Sequence, residues 1–102
     1  MARMLTYTKA IREAQDIEMA RDGNVFIAGE DVGAYGTAFG QTIGLLEKYG
    51  PLRVLDTPLS ETAITSLGVG AAALGLRPII VHDFMDFMGV CMDCLLYTSR
   101  CV

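Results

Sequence analysis

Short, continuous apolar runs alternate along this chain with longer segments in which apolar residues recur at helical spacing. The runs have the length and continuity of buried parallel strands; they are Val25–Ala28, Val54–Leu55 and Ile79–Val81. The helical segments between and around them are residues 7–21, 42–49 and 61–74, and a further helix that begins at Asp83. Because strands and helices alternate, we predict an α/β fold with a parallel sheet, right-handed crossovers and helices on both faces.

The first helix has both of its ends marked in the sequence. Thr6 can cap the amino end, since its hydroxyl oxygen can accept a hydrogen bond from a backbone N–H of the first turn. Asp22-Gly23 ends the helix. Its apolar side, at helical spacing, consists of Tyr7, Ala10, Ile11, Ala14 and Ile17.

Two acidic turns are the most informative parts of the chain. The hexapeptide Asp56–Glu61 joins the second strand to the small-residue helix, and Pro58 fixes a sharp turn within it. Ligands bind at this kind of edge in open α/β sheets. A carboxylate that is half-buried there can have its pKa raised and act as an acid or base near neutral pH. The other turn, Gly29–Gly33, follows the first strand and places Glu30 at its carboxyl end.

These turns and the segments around them resemble the β subunit of thiamine diphosphate-dependent 2-oxo acid dehydrogenases of the pyruvate, branched-chain and acetoin types. The resemblance runs from about Leu5 to Asp93, and its specific part is the hexapeptide with its spacing from Gly29. The fold that it implies is the N-terminal part of a transketolase-like pyrimidine-binding domain. The other matching segments are Leu5–Tyr7, Gly44–Leu46, Tyr49–Pro51, Arg53–Leu55, Gly68–Ala72, Gly75–Pro78 and Phe84–Phe87.

The resemblance implies roles for particular side chains. Glu61 matches the family's catalytic Glu, which favours the imino tautomer of the cofactor's aminopyrimidine and so promotes removal of the thiazolium proton. Leu59 and Phe87 match the aliphatic contact and the stacking aromatic of that ring. Glu30 matches an acidic residue on a water-filled proton path between paired active sites. Without the resemblance, each residue has an ordinary structural explanation. Glu61 would interact with the helix dipole, Leu59 and Phe87 would pack in the core, and Glu30 would be a solvated loop carboxylate.

The resemblance also implies a cofactor and partners. Thiamine diphosphate would lie between subunits of an α₂β₂ heterotetramer, with the α subunit holding the diphosphate and Mg²⁺. The reaction would be oxidative decarboxylation of a 2-oxo acid, or cleavage of acetoin, with acyl transfer to lipoyl groups on an acyltransferase core. Two alternatives remain open: a single-chain transketolase-like synthase, and a non-catalytic α/β module that binds a nucleotide at its glycine-rich helix.

Two further motifs are weaker. Gly68–Ala73 fits the dinucleotide fingerprint, but it lies inside a helix instead of directly after a strand, so close helix packing explains it better. Cys91 and Cys94 have the spacing of a zinc or redox pair, but the chain has a single histidine and no second pair, so we predict no metal site. That histidine, His82, departs from the family pattern, which often carries an acidic residue nearby, and its role stays open.

Composition and charge limit the function classes. The chain has 102 residues, 52% hydrophobic and 20% charged, which indicates one small globular domain or part of a larger one. The net charge of −4 argues against a nucleic-acid or anionic-membrane partner. We find no apolar run of membrane-spanning length and no targeting segment, and therefore expect a cytoplasmic protein of bacterial type.

The chain is predicted to divide at Asp93. Residues 1–93 would form part of a thiamine diphosphate pyrimidine-binding domain, and residues 94–102 a non-native tail. The chain departs abruptly from the family pattern after Asp93, and a back-translation of the tail begins with the end sequence of a transposase-type sequencing adapter. A divergent natural carboxyl terminus is the alternative.

Overall fold

A computed structural model of the chain describes residues 2–92, so the predicted tail and Cys94 lie outside the described residues. Three parallel strands form one sheet in the order β2-β1-β3. The strands are β1 (Val25–Gly29), β2 (Val54–Asp56) and β3 (Arg77–Val81). The helices are α1 (Tyr7–Arg21), α2 (Leu45–Tyr49) and α3 (Glu61–Ala73), and residues 87–92 are also helical.

The two faces of the sheet are covered by different helices. Side chains alternate between the faces along each strand, and all of β1 is buried. One face packs against α1 and α2 in a core that consists of Met19, Val25, Ile27, Val32, Leu45 and Val54. On the other face α3 lies against β3, with Gly68 close to Ile80. The predicted parallel sheet with helices on both faces is therefore confirmed.

The predicted ends of α1 are also confirmed, but its predicted apolar side is not buried. Thr6 caps the helix through a hydrogen bond that its hydroxyl oxygen accepts from the Lys9 N–H at 3.3 Å, and Asp22 is the C-cap. Tyr7, Ile11 and Ile17 are exposed, as are the alanines between them. The one buried residue of α1 is Met19, which lies outside the predicted apolar stripe.

The reason is that α1 is held by its carboxyl end. The Arg53 guanidinium, at the start of β2, donates to the carbonyl oxygens of Met19 and Asp22 at 2.7 and 2.9 Å. It also donates to the carbonyl oxygen of Val25 at 2.8 Å and lies over the Tyr49 ring. The bond to Met19 satisfies a carbonyl group in the last turn of α1, where helix carbonyls lack intrahelical partners, and together these bonds hold the carboxyl end of α1 to the sheet.

Two other predicted helices begin later than expected. The helix predicted over residues 42–49 begins at Leu45, because Gly44 adopts a left-handed φ of 82° and the Thr42 hydroxyl donates instead to the Val32 carbonyl oxygen. The helix predicted from Asp83 begins at Phe87. The preceding residues form bends and turns, in which the Phe87 N–H bonds the Phe84 carbonyl three residues back.

Gly68 and Gly70 of α3 provide a matched pair for testing the α3–β3 packing. A Cβ at Gly68 would lie 2.5 Å from Ile80 Cγ1, whereas one at Gly70 would meet nothing within 4 Å. Gly68→Ala should therefore lower stability, since overpacking costs about 1–3 kcal/mol against a helix-propensity gain of about 1 kcal/mol. Gly70→Ala should raise stability by about that propensity gain. Thermal unfolding of both variants checks this; equal shifts would contradict the packing described.

Candidate functional site

The carboxyl ends of the three strands bring the two acidic turns to one edge of the sheet. Gly29, the last residue of β1, pairs with Asp56 on β2 and with Val81 on β3. The residues that follow these three are Glu30, Thr57 and His82, and the Thr57 N–H donates to the Gly29 carbonyl oxygen at 3.0 Å. This is the edge at which open α/β sheets bind ligands.

A direct contact joins the two turns. The Asp56 carboxylate accepts the Gly33 N–H at 2.6 Å on Oδ1 and the Ala34 N–H at 3.0 Å on Oδ2. A Cβ at Gly33 would lie 2.7 Å from Asp56 Oδ2, so only glycine permits this approach. The sequence indicated a carboxylate at this turn, but not that Asp56 would bind the other turn.

Glu30 lies in surroundings that favour its protonated form. Burial raises the pKa of the Glu30 carboxyl above its usual range, and the charge of Glu61 raises it further. A hydrogen bond from the Ser60 backbone opposes the rise, while Asp83 and Asp31 add smaller contributions in the same direction as Glu61. Glu30 Oε1 is buried without a hydrogen-bond partner among the described residues. Glu30 and Glu61 are thus electrostatically coupled at the edge of the sheet.

Glu61 is half-buried at the first position of α3. The N-cap residue Ser60 makes no side-chain capping bond, because its hydroxyl donates to the Pro58 carbonyl oxygen at 2.9 Å. Glu61 is the acidic residue in the first turn of α3, and its charge helps to raise the pKa of Glu30. The arrangement is compatible with the helix-dipole explanation and with proton transfer.

Two polar residues at this edge were not singled out from the sequence. Thr57 Oγ1 and Asp83 Oδ1 are buried and, within the described part of the chain, have no hydrogen-bond partner. Both lie just after a strand, so the rule that ligands collect at strand ends could have identified them. Buried polar atoms are normally paired, and together with Glu30 Oε1 these atoms leave hydrogen-bonding capacity for a bound group.

The apolar residues predicted to contact a ring differ in exposure. Leu59 is 80% exposed, so the core-packing explanation does not apply to it. Phe87 is half-buried and packs edge-to-face on Phe84 with 5.6 Å between the ring centroids. Phe84 packs in the same way on Phe39 at 5.8 Å. The three rings form a partly exposed aromatic row, and one of its members, Phe39, belongs to the loop between β1 and α2.

His82 lies between α3 and the helical residues 87–92. Its Nε2 is 3.0 Å from the Thr65 hydroxyl and 3.4 Å from the Cys91 sulfur. Cys91 is buried, and its thiol also donates to the Phe87 carbonyl oxygen at 3.1 Å. His82 therefore ties the segment that carries Phe87 to α3.

Residues 2–92 show neither a metal-binding cluster nor a membrane-spanning helix. In that range no group of three or more His, Cys, Asp or Glu side chains is arranged to hold a metal ion. Nor is any helix in the range both long and apolar enough to cross a membrane. A groove lies on the amino-terminal half of α1, away from the acidic turns in sequence; it is lined by Leu5, Lys9, Arg12, Glu13 and Asp16.

Comparison with known proteins agrees with the geometry. The family described as "Transketolase, pyrimidine binding domain" matches residues 3–101. The β subunit of the mitochondrial pyruvate dehydrogenase E1 component of Pisum sativum is 51% identical over 86 residues, which are 84% of this chain and 23% of that protein. The 2-oxoisovalerate dehydrogenase β subunit of Bacillus subtilis is 49% identical over 85 residues, 83% of this chain and 26% of that protein.

A third relative belongs to the acetoin type. The β subunit of acetoin:2,6-dichlorophenolindophenol oxidoreductase of Cupriavidus necator is 48% identical over an alignment of 103 positions, which covers 91% of this chain and 30% of that protein. The chain thus spans about a quarter of the length of the relatives it matches. Because the family match covers almost the whole chain and the sheet has the expected architecture, the chain belongs to the transketolase pyrimidine-binding domain family, and its resemblance to the β subunits of 2-oxo acid and acetoin dehydrogenases is confirmed.

Proposed function

We propose that this chain is part of the β subunit of a thiamine diphosphate-dependent 2-oxo acid or acetoin dehydrogenase and contributes the pyrimidine-binding side of its active site. The observation that carries the proposal is the coupling of Glu30 and Glu61 at a sheet edge where buried oxygens have no hydrogen-bond partner within residues 2–92, in a domain family named for pyrimidine binding. The names of the relatives refer to pyruvate, 2-oxoisovalerate and acetoin. The proposed substrate is therefore a 2-oxo acid or acetoin, without a choice among them.

The residues at this edge fit an aminopyrimidine ring. Such a ring needs hydrogen-bond partners on its nitrogens and apolar contacts on its faces. Thr57 Oγ1 and Glu30 Oε1 offer acceptors without partners among residues 2–92, and Leu59 and Phe87 offer apolar surface that is still partly exposed. Thiamine diphosphate, when bound, would supply the carbanion chemistry that attacks the substrate carbonyl.

Glu61 is the catalytic residue in this proposal. Its half-buried carboxyl group would hydrogen-bond to a ring nitrogen of the bound cofactor and hold the proton that the ring exchanges. Leu59 and Phe87 hold the ring so that this bond keeps its geometry. Glu30 supplies the next proton carrier along the path, since its raised pKa lets it hold a proton that a solvated carboxyl would release.

The whole enzyme needs partners that this chain does not include. The relatives are named as β subunits, which supports an α partner. The proposal further includes an α₂β₂ assembly in which the α subunit would provide the diphosphate and Mg²⁺ side. A lipoyl acyltransferase core would accept the acyl group. A cytoplasmic location belongs to the same proposal; the relatives from plants are mitochondrial by name, and the Bacillus and Cupriavidus relatives are bacterial.

The two alternatives have less support. The Ile80 side chain occupies the space beside Gly68, and Gly70 lies well inside α3. These glycines therefore form no phosphate-binding turn directly after a strand. A single-chain synthase would carry both halves of the site, whereas the relatives are subunits of enzymes with separate chains by name. Titration of the full-length protein with thiamine diphosphate and with NAD would separate a cofactor site from a nucleotide site.

The first test removes the acid at position 61. In the full-length subunit assembled with its α partner, Glu61→Gln should lower turnover by about 10²-fold or more, since an amide cannot take part in the proton relay. Cofactor affinity should change little, because the amide keeps the size and a hydrogen bond. Glu47→Gln is the matched control, since Glu47 is the first-turn acid of α2. Equal turnover in both variants would leave Glu61 with only a helix-dipole role.

The second test concerns the aromatic contact. Phe87→Ala should weaken thiamine diphosphate binding by about 1–3 kcal/mol through lost stacking and apolar area. Phe39→Ala removes the ring at the far end of the aromatic row and should leave cofactor affinity unchanged. Equilibrium titration measures both. If Phe87→Ala lowers only thermal stability, Phe87 is a packing residue and the stacking role is wrong.

The third test uses the pH dependence of stability. The raised pKa means that the folded state binds a proton at Glu30 more tightly than the unfolded state does. Stability from this group is therefore lost as pH rises from the ordinary Glu value of 4.5 through the raised value. Glu30→Gln should remove that loss, so the melting temperature of the variant relative to the original should increase as pH rises. A constant difference across this range would contradict the described environment of Glu30.

A further inference from the structure

Asp56 belongs to neither the acid pair nor the apolar contacts, yet it is the residue that joins their two turns. Both of its carboxylate oxygens accept backbone N–H groups, from Gly33 at 2.6 Å and from Ala34 at 3.0 Å. Hydrogen bonds to an ionised carboxylate are about twice as strong as neutral ones.

The loop that Asp56 contacts, residues 30–44 between β1 and α2, has a strained backbone. Asp31 and Thr37 both adopt left-handed φ values, 54° and 70°, although neither is glycine. Such conformations are strained for residues other than glycine and persist where surrounding contacts enforce them. The Thr37 N–H bonds the Asp31 carbonyl oxygen at 2.8 Å, and the buried Thr42 hydroxyl bonds the Val32 carbonyl oxygen at 2.6 Å. The contacts from Asp56 tie the Gly33 end of this loop to the hexapeptide, while the Thr57 N–H bonds the Gly29 carbonyl oxygen on the other side of Glu30.

We propose that Asp56 is a positioning residue, whose carboxylate holds the Glu30 turn against the Glu61 turn and thereby fixes the separation of the two acids. Asp56 ends β2 and the hexapeptide carries the chain on to Glu61, while Gly33 lies three residues after Glu30. A bond between Asp56 and Gly33 therefore restrains both acids at once. This inference rests on the proposed function, since the separation matters only where a proton moves between the acids and a bound ring.

Two variants loosen the contact in independent ways. Asp56→Asn keeps the shape of the side chain but removes the charge, and its amide nitrogen cannot accept an N–H group. Gly33→Ala leaves Asp56 intact but introduces a Cβ 2.7 Å from its Oδ2. The φ of Gly33 lies outside the left-handed region, so the effect of that substitution is steric. If one variant does not fold, the other still tests the contact.

Asp22→Asn is the matched control. The Asp22 carboxylate also accepts a backbone N–H, from Asn24 at 2.8 Å, and pairs with Arg77 at 3.3 Å. It lies just before the amino end of β1, at the opposite end of the strand from the acidic turns. The control therefore loses the same type of bond without touching the site.

The experiment uses the full-length subunit assembled with its α partner. Hydrogen exchange of the peptide spanning residues 30–36, measured without cofactor, reports whether the loop is held. The turnover number and the thiamine diphosphate affinity report whether its position matters. We expect faster exchange in both site variants, with turnover lower by about 10–100-fold and cofactor affinity changed by less than about threefold, because the apolar contacts remain. Asp22→Asn should change melting temperature but neither the exchange nor turnover.

Several results would overturn the proposal. Unchanged exchange of residues 30–36 in both site variants would mean that Asp56 does not hold the loop, whatever the activity. Faster exchange with normal turnover would mean that the contact is structural only. A turnover loss in Asp22→Asn equal to that in Asp56→Asn would assign the effect to general destabilisation. If the unsubstituted protein shows no thiamine diphosphate-dependent turnover, the proposed function fails, and the positioning role fails with it; the exchange data then still decide whether the contact exists.

Discussion

Parallel pairing of β1 with both of its neighbours determines where the functional side chains of this chain lie. Every residue of β1 is buried, and its last residue is paired on one side with Asp56 and on the other with Val81. A shift of one residue in either register would exchange the two buried faces of β1, so that Phe26 and Ala28 would take the places of Val25 and Ile27 in the core. The core therefore fixes the register, and the register brings the turns after all three strands to one edge.

Three polar residues at that edge have incomplete hydrogen bonding within residues 2–92. Glu30, Thr57 and Asp83 each have a buried oxygen without a hydrogen-bond partner in the described part of the chain. Burial and the nearby Glu61 raise the pKa of Glu30. Such groups destabilise an isolated domain, because each buried polar group costs about 1–3 kcal/mol of folding free energy when it is left unsatisfied. A bound ring and a partner subunit would satisfy these groups and cover the exposed Leu59.

Much of this arrangement could be predicted from the sequence, because the signals are local. Continuous apolar runs identified all three strands, and Thr6 and Asp22 marked both ends of α1. The errors arose where long-range contacts decide the outcome. The sequence could not show that Arg53 draws in only the last turns of α1, which leaves Tyr7 and Ile11 exposed. The hydrogen bond between Asp56 and Gly33 joins residues 23 positions apart, so the local pattern of apolar and polar residues could not predict it. Family resemblance supplied the roles of Leu59, Glu61 and Phe87, and these roles stay predictions.

The proposed role of this edge is to bind the pyrimidine ring of thiamine diphosphate. The most direct test is an experimental structure of the full-length β subunit assembled with its α partner and the cofactor. Our account predicts a ring nitrogen within hydrogen-bonding distance of the Glu61 carboxyl group, about 2.6–3.2 Å, with Leu59 and Phe87 against the ring. A cofactor bound elsewhere, or a ring whose nitrogens face away from Glu61, would contradict the account.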